Sequence, residues 1–507
     1  MPSEPQLDDS FTALPYRRLG DVALQRAADL GATHADFRFE RVRYQHIGVR
    51  DGHLQGAADS EDLGFAVRVI HGGAWGFAAG VVLTEEEALR LADTAVAVAK
   101  VAADMTSTPV ELAAEPVHAD VTWVSPHLVN PLEVPTAEKA ALLIDWTNRL
   151  REHGFVQHAS ASLQQVQENK YYADLAGTRT TQQRIRLQPA FEAMGSDAGT
   201  GHFDSMRTIA PPVAHGYEFL TDGLWDWDSE LLQAPDLLAE KLKATTVDPG
   251  IYDLVIDPSN LWLTIHESIG HATELDRALG YEANYAGTSF ATYDKLGTLQ
   301  YGSELMNVTG DRTVEHGLAT IGYDDEGVET QSWDIVKDGV LVGYQLDRQM
   351  GLMHPELNGG RSNGCAYADS PSHIPIQRMA NVSLQPAPDG PSTDELIADV
   401  ERGLYVVGDK SWSIDMQRYN FQFTGQRFFL IENGRLAGQV RDAAYQATTT
   451  DFWGSMDAVG GPDTWVLGGA FNCGKAQPGQ VAAVSHGCPS ARFRGIRILN
   501  ALQEAGH

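Results

Sequence analysis

In the segment His266-Glu267-Ser268-Ile269-Gly270-His271, two imidazoles accompany a carboxylate. Neutral histidine nitrogens are ligands for Zn²⁺, and a glutamate beside the first can take a proton from an attacking water. The trio therefore has the composition that metal-assisted hydrolysis needs. The two histidines stand at i and i+5, one residue further apart than the spacing that stacks side chains on adjacent turns. At about 100° per residue, such partners point roughly 140° apart and lie about 7.5 Å from each other along a regular helix. A π-type turn returns them to one face, and Gly270 is the residue that best tolerates the distortion. The spacing predicts a widened or broken turn at 269–270.

A catalytic zinc site keeps three protein ligands and one open position, so a third donor is needed. The chain has three cysteines. Cys473 sits in Asn472-Cys473-Gly474-Lys475, after Gly468-Gly469, where a tight turn can bring a thiolate close to a metal. Cys488, beside His486, is its rival, and Cys365 is a third candidate. Each is equally readable as a buried small hydrophobe, and spacing does not choose among them. Glu274 and Asp276 follow the second histidine closely enough to ligate, or to orient a ligating imidazole, or simply to face solvent. Arg361, in Gly359-Gly360-Arg361-Ser362-Asn363-Gly364, is placed to hold a substrate carboxylate or oxyanion, or to anchor a loop. His354 and His373 have no spacing argument and read as structural or surface residues. The glycine-rich stretches carry neither a P-loop nor a dinucleotide fingerprint, and no Gly-x-Ser-x-Gly elbow occurs.

The elements that must position these residues are mixed. Residues 19–30 read as a helix, followed by strands at 35–42, 45–50 and 64–70 with turns at Asp51-Gly52 and Gly72-Gly73. Thr84 and Glu87 form a capping-box pattern ahead of a long helix reaching about residue 105. A proline-richer linker spans 109–135, and a helix at 136–153 follows. Residues 155–188 alternate, with turns expected near Asn169-Lys170 and Ala176-Gly177. A helix at 231–245, a strand at 252–256 and a helix opening near Ser259 lead into the histidine motif. The remainder is strand-like, with turns at Asp338-Gly339 and Asn433-Gly434 and one helix at 392–402. An α+β fold class follows: an N-terminal α/β region with an antiparallel sheet and long helices, and a C-terminal, mostly β region containing the metal-binding helix. The expected division is 1–18 as a flexible start, 19–130 as an N-terminal α/β domain, 131–246 as a middle α/β segment and 247–507 as the catalytic domain.

The 37 Lys+Arg against 68 Asp+Glu leave a net charge of −31 in 507 residues. A field of that sign opposes binding to nucleic acid or anionic lipid and favours neutral or basic peptides. No membrane span and no signal peptide are visible, and the few cysteines suit a reducing compartment. The expectation is a cytoplasmic protein with neither nucleic acid nor membrane as partner.

The chain resembles the TldD/PmbA family of metallopeptidases, specifically its motif-bearing, TldD-like subunit, from about residue 35 to 498. The resemblance rests on Ala35-Asp36-Phe37-Arg38-Phe39-Glu40, Gly64-Phe65-Ala66-Val67-Arg68, and the HExxGHxxExD signature running from His266 to Asp276. Downstream it rests on Asp324-Asp325-Glu326-Gly327-Val328, the segment from Asp338 to Tyr344, Arg378-Met379-Ala380-Asn381, and Cys473-Gly474-Lys475 with Gly479-Gln480. It implies Zn²⁺ held by His266, His271 and Cys473, with Glu267 as general base. It also implies peptide or unfolded-polypeptide substrates reached through a confined entrance. The implied assembly is a homodimer, or a heterodimer with a motif-lacking sibling. The alternative is a non-catalytic, zinc-containing partner subunit with a closed four-ligand site, using Glu274 or Cys488 as the fourth ligand. The chain departs from the family pattern at 281–286, at Gly408, and where Ser362 follows Arg361 in place of a second arginine. These departures bear on substrate preference.

Overall fold

The computed structural model describes residues 6–504. In the N-terminal half, α1 (Tyr16–Asp29) precedes the strands β1 (His34–Arg50), β2 (His53–His71) and β3 (Ala74–Gly80). Then come α2 (Glu85–Ala103), β4 (Val121–Val124), α3 (Thr136–Arg151), β5 (Val156–Asp174), β6 (Arg179–Ser196), β7 (Phe203–Arg207) and α4 (Trp227–Lys243). All seven strands form one sheet in the order β3-β2-β1-β5-β6-β4, with β7 on β6, so the N-terminal region and the middle segment share it. The hairpins turn where the sequence supplies positive φ. Asp51 and Gly52 take 52° and 78°, and Gly72 and Gly73 take 61° and 77°, the geometry of two-residue type I′ turns. Thr84 caps α2 by accepting the Glu87 N–H.

Period-2 alternation sorts this sheet into two unlike faces. Phe37, Phe39, Phe65, Val67 and Tyr171 pack under α1 and α2 in one apolar core. Asp36, Arg38, Glu40, Arg68 and Lys170 point the other way and are equally buried, because the C-terminal half covers them. Arg68 reaches Glu326 at 3.0 Å and Lys170 reaches Asp325 at 2.7 Å.

Burial of polar side chains on both faces explains two departures from what the sequence pattern predicts. Residues 35–42 and 45–50 are one continuous strand, and no turn occurs at Asn169-Lys170, through which β5 runs unbroken. Asn169 is polar because it bonds Arg41 and Gln183 across the sheet, and Lys170 because it meets Asp325 of the C-terminal half. The 109–135 linker contributes β4, which pairs in parallel with β6.

The C-terminal half is built on β8 (Gly250–Ile256), α5 (Pro258–Ile265), β9 (Arg402–Ile414), β10 (Asn420–Glu432) and β11 (Ala443–Thr448). β12 (Val466–Lys475), β13 (Gln480–Cys488) and β14 (Ala491–Asn500) complete it. The pairings β9-β8-β14-β11-β10 close on themselves through β9–β10, making a barrel. Leu254, Ile256, Leu404, Phe423 and Tyr445 pack with Leu261 and Ile265 of α5 in its core. Asp257 caps α5 through the Ser259 N–H, with Pro258 in the first turn, where its missing N–H costs nothing. The expected helix at 392–402 is shorter, Thr393–Ala398, because Arg402 already begins β9. The hairpin β12–β13 stands apart from the barrel as a separate two-stranded sheet. The fold class is α+β, as the sequence pattern indicated.

Candidate metal centre

α5 carries the motif out of the barrel core and into a π turn at His266–Gly270, where the His271 N–H donates to the His266 carbonyl. That i→i+5 bond restores the two histidines to one face, with ring centroids 4.6 Å apart at 73°. The wide turn is secured from outside. Gln345 Nε2 donates to the Gly270 carbonyl at 2.8 Å, Thr273 Oγ1 to that of Ile269 at 2.8 Å, and the Tyr301 hydroxyl to that of Ser268 at 2.5 Å. Gly270 is needed for a reason other than flexibility. Its backbone is ordinary helix (φ −52°, ψ −58°), but a Cβ there would lie 2.5 Å from Met379 Sδ.

Cys473, on β12, meets this turn with Sγ 3.5 Å from His271 Nε2. The donor atoms of His266, His271 and Cys473 all lie within 4.8 Å of one another. Bound to one tetrahedral zinc, a nitrogen at about 2.0 Å and a sulfur at about 2.3 Å would stand about 3.5 Å apart. The other two cysteines are elsewhere. Cys488 Sγ faces the Pro258 carbonyl at 3.7 Å, and Cys365 is buried beside Arg312.

Hydrogen bonds fix which ring nitrogens face inward. His486 Nδ1 is 2.8 Å from the Val382 carbonyl, which can only accept, so that nitrogen is the donor. A neutral His486 must then accept at Nε2, 2.7 Å from His266 Nδ1, which leaves His266 Nε2 with a free lone pair. His271 Nδ1 likewise donates to Glu274 Oε2 at 2.8 Å and keeps Nε2 free. Glu274 is held in turn by Lys475 (3.2 Å) and Arg277 (3.3 Å), and Lys475 also bonds Asp276 at 2.7 Å and the Gln377 carbonyl at 2.8 Å. Such partners orient ligating imidazoles and raise their basicity.

Burial governs the protonation of this cluster. It pulls His266 well below the usual histidine range, assisted by His271 and His486, and takes His271 down to about 3 against the pull of Glu274. Both imidazoles are therefore neutral, the form that binds metals. Burial also pushes the Cys473 thiol up to about 11, so a bound cation would be needed to hold it as thiolate. Burial opposes ionisation of Glu274 too, yet Lys475, His271 and Arg277 keep it well below the carboxylate range. Two neutral nitrogens and a metal-acidified thiol are the donor set a zinc site uses, and the residues fit that ion.

Glu267 projects from the same turn, and burial raises its pKa in spite of the Arg418 guanidinium bonded to it. Arg418 lies at the tip of the β9–β10 hairpin with φ 63°, a conformation few non-glycine residues adopt. Asp415 holds that tip by accepting the N–H groups of Gln417, Tyr419 and Asn420, and Thr449 bonds the Arg418 carbonyl. Beside the centre, a cavity of about 660 Å³ opens between the N-terminal sheet and β12, lined among others by Phe191, Arg207, Trp262, Trp412 and Phe471. Trp262 packs against both His266 and His486.

Of the other sequence candidates, Glu274 and Asp276 join the centre, whereas Arg361 pairs with Glu115 at 2.6 Å and anchors its loop. His373 bonds Asp369 and His354 packs on Tyr293. Sequence reasoning passed over His486, Arg418, Arg277 and Lys475 as parts of the site. Lys475 and Arg277 at least stand next to motif residues, but nothing local marks Arg418.

A barrel-packed helix whose last turn carries two imidazoles and a glutamate against a thiol of β12 has the makings of a metal-dependent hydrolase. Family models narrow this: one for the PmbA/TldA metallopeptidase C-terminal domain matches residues 249–500, and one for metallopeptidase domain 1 matches residues 35–99. The chain belongs to the TldD/PmbA family of metallopeptidases. It is 28% identical to a metalloprotease of Methanocaldococcus jannaschii over 84% of this chain and 89% of that protein. It is 22% identical to the zinc metalloprotease TldD homolog of Saccharolobus solfataricus, over 94% of this chain and 98% of that protein. The crystal structure of TldE from Thermococcus kodakarensis shares the fold with a TM-score of 0.69 at 16% identity, covering 95% of this chain and 99% of that one. No helix among the described residues is long and apolar enough to cross a membrane.

Proposed function

We propose that this chain is a zinc-dependent peptidase in which His266, His271 and Cys473 hold the ion and Glu267 is the general base. The observation that carries the reading is the convergence of these three donors beside Glu267 at one π turn. Bound there, zinc would polarise the scissile carbonyl and acidify the attacking water. Glu267 takes the water's proton and returns it to the leaving amine, and its raised pKa suits both transfers. Arg418 holds the carboxylate in place until a substrate arrives. Trp262 and Trp412 line the cavity through which a peptide or unfolded polypeptide reaches the site.

The protein works in the cytoplasm as a homodimer, or as a heterodimer with a motif-lacking sibling; the likeness to TldE supports the second form. A closed structural zinc site is the weaker reading, because Glu274 is committed to His271 and Cys488 to Pro258. The test is Glu267→Gln, assayed by metal content and by digestion of a peptide library. Zinc should stay near one per chain while cleavage falls by about 10³-fold or more. Cleavage at the native rate with zinc retained would sink the mechanism.

A further inference from the structure

A second buried polar centre adjoins the same hairpin. Arg312 and Arg378 are 2% and 1% exposed, and no carboxylate among the described residues pairs with either. Their neighbours are compensated. Arg184 and Arg186 share Glu168, Arg38 pairs with Glu40, Lys170 with Asp325, and Arg68 with Asp36 and Glu326. Arg378 spends two N–H groups on the carbonyls of Gln480 (3.0 Å) and Cys473 (2.5 Å) but has no acceptor for Nε. Arg312 lacks acceptors at both Nε and Nη1. The adjacent groups do not supply the missing charge. Burial pushes the Cys365 thiol up to about 12, so it stays protonated. Asp324 accepts from the N–H groups of Glu326, Val328 and Ala366.

Both arginines line a cavity of about 10 Å³ together with Arg184, Tyr367, Met379 and Ala482. A buried cation without a counter-ion is strongly destabilising, and each buried N–H without an acceptor adds to that cost. A water would satisfy the N–H groups and leave the charge. The space has room for one small ion. We propose that this cavity binds a single halide ion, chloride under ordinary conditions, between Arg312 and Arg378. The ion would also hold the Arg378 guanidinium that supports the backbone of Cys473 and Gln480. The site stands independently of the peptidase reading, since its evidence is charge and cavity alone.

Crystals of the full-length protein soaked in sodium bromide and measured at the bromine absorption edge should give one anomalous peak in contact with both guanidinium groups. In solution, melting in sodium chloride is compared with melting in sodium gluconate at equal ionic strength. For a dissociation constant of about 10 mM, 100 mM chloride should raise the folding constant about tenfold, and Arg312→Met should abolish the difference. A cavity with no anomalous signal, or equal melting temperatures in the two salts, overturns the proposal. Should Arg312→Met fail to fold, the two wild-type measurements decide alone.

Discussion

The metal centre and the arginine centre both adjoin the β12–β13 hairpin, and Met379 touches the two, yet they settle burial of polar groups in different ways. Around His271 every charge is met. Lys475 answers Glu274 and Asp276, Arg277 answers Glu274, and each histidine gives its Nδ1–H to a partner. What remains is a set of lone pairs facing one point, which is a place for a cation. Around Arg312 and Arg378 the protein supplies two carbonyls and a thiol but no carboxylate, and three N–H groups have no acceptor, which is a place for an anion. A strongly acidic chain thus holds a local excess of buried positive charge, because net charge describes the surface and says little about one cavity.

The sharpest way to break this comparison is to unmatch the first centre. Lys475→Met leaves Asp276 buried without its cation and Glu274 with Arg277 alone. A loss of about 3–5 kcal/mol is expected in denaturant unfolding of the metal-free protein. A loss below about 1 kcal/mol would mean the ion pairs are not what neutralises that centre. A smaller effect is expected at the turn shared by both centres. Gly270→Ala drives a methyl into Met379, which should cost about 1–3 kcal/mol. Met379→Ala in the same chain should recover part of it, and a double variant no better than the single would show that the clash is not with Met379. The smallest effect, of opposite sign, belongs to the second centre. In halide-free gluconate, Arg312→Met removes an unpaired buried charge and should leave stability unchanged or raise it by about 1 kcal/mol. Destabilisation by several kcal/mol there would show that Arg312 has a protein counterpart after all.

The legible part of the fold was what local pattern controls. The helix cap at Thr84, the paired positive-φ turns at Asp51-Gly52 and Gly72-Gly73, and the α+β class follow from neighbours in sequence. What misled was polarity at 43–45 and 169–170. Polar residues there suggested breaks, but they are buried within the fold: Gln45 bonds Lys139 and Gln165, Asn169 bonds Arg41 and Gln183, and Lys170 meets Asp325 of the C-terminal half. A strand's alternation tells which residues share a face, and only the partner packed on that face decides whether it is wet or dry.

The same division holds at the site. The i, i+5 spacing of His266 and His271 by itself required a widened turn, since a regular helix would aim the rings apart. The sequence also placed a glutamate next to the first ligand, and a resemblance pointed to Cys473. Only the tertiary structure brought Cys473 to His271, gave His266 its relay through His486 to Val382, and set Arg418 on Glu267. Gly270 shows the difference within one residue: its presence could be read as tolerance of distortion, whereas in the fold Met379, over a hundred positions away, occupies the space a side chain there would take. Spacing along a chain fixes angles over a few residues. Contacts between distant segments depend on packing the whole core, and no local pattern carries that information.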